Sequence, residues 1–118
     1  MSPNAREKPH WSPNTDVFVS RVGHLIIKVD LSGLHTKDLE LTVEGRRLKI
    51  KGARRDSELD DAKVLLVDGI PGGPFESVLE IPDGYDLSAS RADYLNGVLR
   101  IDVPREASTS ENLPPRWN

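Results

Sequence analysis

The sequence predicts an all-β protein, an antiparallel sandwich of seven to eight short strands. Three observations predict it. Apolar and polar residues alternate with a period of two in stretch after stretch, and Gly- and Pro-rich turn signals recur between those stretches. No helical periodicity outlasts a single turn. A chain of 118 residues suits one domain, which buries roughly two-thirds of its unfolded surface.

Residues 1–15 hold Pro3, Pro9 and Pro13 and almost no aliphatic side chains, the composition of a flexible arm. A first strand fits residues 16–21, where Val17 and Val19 alternate with Asp16, Phe18 and Ser20, and Gly23 breaks it. The next, 24–31, sets Leu25, Ile27, Val29 and Leu31 on one face and His24, Ile26, Lys28 and Asp30 on the other. After Ser32-Gly33 and a connecting turn, Leu39, Leu41 and Val43 alternate with Glu40 and Thr42. Glu44-Gly45-Arg46 turns the chain, and 47–52 returns with Leu48 and Ile50 inward, completing a hairpin.

Residues 54–63 are charged throughout, with Leu59 and Ala62 the only apolar side chains, and read as a solvated loop. It ends in Lys63-Val64-Leu65-Leu66-Val67, five residues of strong strand propensity. Charge precedes this run and Asp68-Gly69-Ile70-Pro71-Gly72-Gly73-Pro74 follows, so nothing local shields it. An apolar strand left exposed invites aggregation, so it is expected to pair with its own sheet or with another subunit.

A further strand over 75–81 turns Phe75, Ser77, Leu79 and Ile81 to one face, and Pro82-Asp83-Gly84 stops it. The hairpin 92–103 carries the strongest signal. Asn96-Gly97 suits a type I′ turn, which needs positive φ at both central residues. A two-residue loop there sets Leu95 opposite Val98, Tyr94 opposite Leu99, Asp93 opposite Arg100, Ala92 opposite Ile101 and Arg91 opposite Asp102. Both charged pairs are opposite in sign, each contributing a few tenths to about 1 kcal/mol. Pro104 closes the strand. The tail 105–118, with Leu113 its one large aliphatic, is expected to be disordered, leaving 16–104 as the domain.

Composition narrows the function. No apolar run approaches the ~20 residues of a membrane-spanning helix, and residues 1–8 lack the apolar core of a signal peptide. The absence of Cys removes disulfides, thiol catalysis and thiolate metal sites, and fits a cytoplasmic location. A net charge of −3 with interspersed signs offers no field for nucleic acid or membrane. His10, His24 and His35 have no partners at metal-ligand spacing, so neither metal nor cofactor is expected. Asp60-Asp61 reads as a solvated acidic run, and Gly69-Ile70-Pro71-Gly72-Gly73 as a turn without the Lys-Ser/Thr ending of a phosphate loop. The basic set Arg46, Arg47, Lys49, Lys51, Arg54 and Arg55 lacks interleaved aromatics and reads as a solvated strand face. No constellation for catalysis emerges, so the chain is not expected to be an enzyme.

The pattern Ala92-x-Tyr94-x-Asn96-Gly97-Val98-Leu99, ending at Pro104, resembles the signature of the alpha-crystallin domain of small heat shock proteins. Val29-Asp30-Leu31-Ser32-Gly33-Leu34, Lys37-Asp38-Leu39, Leu48-x-Ile50-x-Gly52 and Gly73-x-Phe75 leading to Ile81-Pro82 match the family in order. The resemblance implies an immunoglobulin-like two-sheet sandwich and an ATP-independent holdase that binds unfolding client proteins. It implies that 63–67 crosses to a partner subunit, with Val64, Leu65, Leu66 and Val67 pairing near Val17 and Val19 in a homodimer. It also implies a groove for a tail peptide or client, lined here by Leu41, Val43, Ala92 and Tyr94. Other small heat shock proteins are further candidate partners.

Three departures stand out. Ser77 occupies a position where the family commonly has Arg, the tail lacks an Ile-x-Ile or Ile-x-Val motif, and the arm is short and polar. They favour a dimer over a large assembly. The alternative is a CS-domain-like co-chaperone or adaptor that binds a specific folded partner and needs no exchanged strand.

Overall fold

A computed structural model describes residues 11–55, 58, 61–67 and 69–107. Among them are seven strands: β1 (Thr15–Val19), β2 (Leu25–Asp30), β3 (Leu39–Glu44), β4 (Arg47–Arg54), β5 (Gly73–Glu80), β6 (Arg91–Leu95) and β7 (Val98–Val103). They form a four-stranded sheet in the order β1-β2-β7-β6 and a three-stranded sheet in the order β3-β4-β5, every pairing antiparallel.

Alternation decides which side chains meet between the layers. Leu25, Ile27 and Val29 of β2 and Leu99, Ile101 and Val103 of β7 pack in one buried cluster with Leu48 and Ile50 of β4 and Phe75 of β5. The β6–β7 register is the one the turn specified, from Leu95 opposite Val98 to Arg91 opposite Asp102. Asn96 and Gly97 both have positive φ, 54° and 81°. The β3–β4 hairpin sets Leu41 opposite Ile50 and Val43 opposite Leu48.

The protomer adds to these expectations at several positions. Residues 63–67 form no strand in the protomer: Val64, Leu65, Leu66 and Val67 lie in irregular backbone and are all exposed, Leu66 at 88%. Propensity alone cannot hold a strand without a neighbouring edge to supply its hydrogen bonds. The first strand stops at Val19 rather than Arg21, because Ser20 and His24 close a turn (Ser20 N to His24 O, 2.8 Å; Gly23 N to Ser20 O, 2.9 Å).

Ile26, expected on the outer face, is only 1% exposed. It sits on a central strand between Phe18 of β1 and Asp102 of β7, whose side chains flank it. The arm is docked in its described part, with Pro13 buried and Trp11 packed on Phe75 (ring centroids 5.0 Å apart). Past Pro104 the chain stays engaged, as Tyr85 and Arg105 form an antiparallel bridge and Glu106 N donates to Gly84 O (2.8 Å). Residues 1–10 of the arm and 108–118 of the tail lie outside the described residues.

Candidate functional site

Two crossovers join the sheets. In the first, Leu31 N donates to Gly97 O (2.7 Å), which holds the chain against the β6–β7 turn. The Tyr94 hydroxyl lies 2.7 Å from both Leu31 O and Leu34 O, and its single proton serves one at a time. A short 3-10 turn (Thr36–Asp38) then delivers the chain into β3. Thus β6 and β3 are the edge strands beside this crossover.

The inward face of an edge strand has no further strand to cover it. Leu41 and Val43 share the side of buried Ile50 and Leu48, yet are 39% and 51% exposed. Ala92, opposite buried Ile101, is exposed as well. Tyr94 differs from these three: its ring packs on the core and its hydroxyl ties down the crossover. It acts as a strap, and nothing in local sequence signals a hydroxyl reaching a carbonyl 60 residues away.

At the far edge of the four-stranded sheet β1 pairs only with β2. There Val17, opposite Ile27, and Val19, opposite Leu25, point toward the interlayer space and remain more than half exposed. Phe18 is 45% exposed on the other face. The N–H and C=O groups of β1 on the side away from β2 form an open edge. The structure therefore gathers Val17 and Val19 on one unpaired edge and leaves Val64–Val67 on a segment without strand partners, and no ladder joins the two within the protomer.

Sequence reasoning missed Arg46. Placed in a solvated basic face, it instead projects from the β3–β4 turn to the second crossover. Its guanidinium donates to Ile81 O (3.3 Å), Pro82 O and Tyr85 O (3.0 Å) and sits near Asp83 and Glu106. Other members of the basic set have acid partners, Arg47 with Glu80 (2.6 Å) and Lys49 with Glu76 (3.8 Å). Charge-assisted hydrogen bonds contribute about 1.5–3 kcal/mol each, discounted where water competes. Arg46→Ala is expected to lower unfolding free energy by about 2 kcal/mol, read by urea denaturation, with Arg46→Lys recovering under half because it lacks the planar fork. Equal stability of the alanine variant overturns this role.

Titratable groups follow the same local logic. His24, expected to be an idle strand-start residue, places Nδ1 2.6 Å from Asp102 Oδ1, and Arg100 lies 3.7 Å from the other oxygen. The Ser32 hydroxyl and N–H both donate to Asp30 Oδ1 (2.8 and 3.2 Å), holding that carboxyl below its usual range. A cleft of about 400 Å³ on the outer face mixes Lys28 and Arg100 with Asp93 beside Leu95 and Val98. Among the described residues no group of three or more His, Cys, Asp or Glu is placed to hold a metal ion, and no helix is long and apolar enough to cross a membrane. Asp60 of the acidic pair lies outside the described residues, while Asp61 is exposed.

The class defined is a two-sheet antiparallel sandwich whose apolar side chains reach solvent along unpaired edges. The profile of the Hsp20/alpha crystallin family matches residues 19–116, and the chain belongs to that family. It is 30% identical over 102 residues to the small heat shock protein IbpB of Escherichia coli, spanning 86% of this chain and 68% of that protein. It is 29% identical over 102 residues to spore protein SP21 of Stigmatella aurantiaca, again 86% of this chain and 60% of that protein. The chain thus spans about three-fifths of the length of SP21. Among solved structures it resembles a small heat-shock protein of Xylella fastidiosa (TM-score 0.78, 25% identity, 92% of this chain and 96% of that one). It also resembles hspA of Xanthomonas axonopodis (TM-score 0.73, 26% identity, 81% and 95%).

Proposed function

We propose that this chain is an ATP-independent holdase that captures partly unfolded proteins on its exposed apolar edges and limits their aggregation. One observation carries the reading: large apolar side chains reach solvent on the unpaired edge strands, with Val17 and Val19 on β1 and Leu41 and Val43 on β3. An extended client segment can add to such an edge by main-chain hydrogen bonds, while alternate side chains enter the apolar strip. Leu41, Val43 and Ala92 supply that strip beside β6, with Tyr94 at its floor. No nucleotide chemistry is needed, since capture rests on burial at roughly 25 cal/mol per Å².

The working unit is a homodimer in which Val64–Val67 of each protomer pairs with the partner's β1 edge. Val64–Val67 is an apolar strand-former without a strand partner and β1 is an apolar edge with one side open, so a two-fold arrangement can satisfy both at once. The adaptor reading has no use for that segment, and family membership supports the chaperone reading over it.

The test is thermal aggregation of a model client without nucleotide, followed by light scattering. Suppression near one dimer per client is expected, weakened several-fold by Leu41→Glu with Val43→Glu. Unchanged scattering at several-fold molar excess overturns the holdase reading.

A further inference from the structure

The long connection between β4 and β5 leaves the sandwich through two neighbouring stems, Arg54 and Gly73, which are cross-strand partners. Both stems are held from outside the sheet. Arg54 Nη1 donates to Pro71 O (3.0 Å), two residues inside the connection, and Nε donates to Ser32 O of the first crossover (3.1 Å). Trp11 Nε1 donates to Gly73 O (3.0 Å), its ring packs on Phe75, and Trp11 forms a parallel bridge with Phe75 along the free edge of β5. The two holders also touch each other, for the Arg54 guanidinium lies 4.2 Å over the Trp11 ring.

We infer that Trp11 and Arg54 form a clamp that sets the direction in which the β4–β5 connection leaves the sandwich, and so couples docking of the N-terminal segment to presentation of Val64–Val67. The inference rests on the exchange-dimer reading. A long connection pays ordering entropy when its apolar segment docks on a partner. Fixing Pro71 and Gly73 at the base narrows the directions that segment samples before docking. The cation–π stack makes the clamp cooperative: withdrawing Trp11 uncovers Arg54 and frees Gly73 O together.

The clamp positions the connection and contacts no client, so its test reads a property that a purely structural role would leave unmoved. Wild type, Trp11→Ala, Arg54→Gln and the double variant of the full chain are compared by sedimentation velocity and by amide hydrogen exchange. Trp11→Ala is expected to weaken dimerisation about tenfold and to speed exchange of residues 61–72, with β2 and β7 protection unchanged. Arg54→Gln should do the same, and the double variant should add little to either. Unaltered dimer affinity and unaltered exchange in 61–72 overturn the clamp while leaving the exchange dimer standing. A wild type that stays monomeric at all concentrations removes the exchange reading instead. The coupling falls with it, since no docked segment is left for the clamp to present. Should Trp11→Ala fail to fold, Arg54→Gln carries the same comparison.

Discussion

Gly52→Ala is expected to destabilise the domain by about 2 kcal/mol, the balance of a steric cost near 3 kcal/mol, at the upper end of ordinary overpacking, and a smaller entropic gain. A Cβ at Gly52 stands 2.6 Å from the Asp38 carbonyl oxygen and 2.8 Å from the tip of the Phe75 ring. Neither neighbour can withdraw cheaply. Asp38 ends the 3-10 turn that feeds β3, and Phe75 is 1% exposed at the centre of the core. The opposing effect is real but smaller, because removing a glycine lowers the entropy of the unfolded chain by roughly 0.4–1 kcal/mol. Sterics win by a factor of about three on these magnitudes. Gly69→Ala is the internal control: its Cβ meets nothing within 4 Å and its φ is not left-handed, so stability should stay within about 0.5 kcal/mol. Thermal unfolding checks both. A Gly52→Ala midpoint within a few degrees of wild type means the β3–β4 hairpin yields where this account says it cannot.

Gly52 also shows where sequence reading works and where it stops. Its place in the pattern Leu48-x-Ile50-x-Gly52 was visible, but the carbonyl and ring that exclude a side chain come from residues 38 and 75. The hairpin of β6 and β7 was legible to the residue, because a two-residue turn fixes register and register fixes both faces. The exposure of Leu41, Val43 and Ala92 was half legible. Alternation assigns these residues to the inner face, but only topology reveals that their strands are edges.

Arg46, Tyr94 and Trp11 were not legible as straps. Each reaches a backbone carbonyl more than 30 positions away, and carbonyls leave no mark in a sequence. Ile26 lies on the face that alternation gave it, but its burial was not legible. Period-two logic sent it outward, and burial there depends on Phe18 and Asp102 across two ladders. Residues 63–67 expose the limit of propensity, since a strand exists only where another strand accepts it.

Leu66→Pro should therefore shift the protein from dimer to monomer while leaving the protomer folded. Leu66 is 88% exposed and outside every ladder of the protomer, so its replacement removes no contact of the sandwich. In the exchanged arrangement proline fixes φ near −65°, away from the strand region, and deletes a ladder donor where the replaced N–H faces the partner edge. Two-fold symmetry makes each loss count twice. At about 1.5 kcal/mol per interface copy, the penalty approaches 3 kcal/mol, roughly a hundredfold in the dimer dissociation constant. Successive N–H groups on a strand point to opposite sides, so one of Leu65 and Leu66 donates to the partner edge. Leu65→Pro is the companion variant, and the stronger effect identifies the donor. Sedimentation velocity reads the outcome, with circular dichroism to show the sandwich intact. If neither proline alters the sedimentation profile, Val64–Val67 lies outside the interface and β1 finds its partner elsewhere.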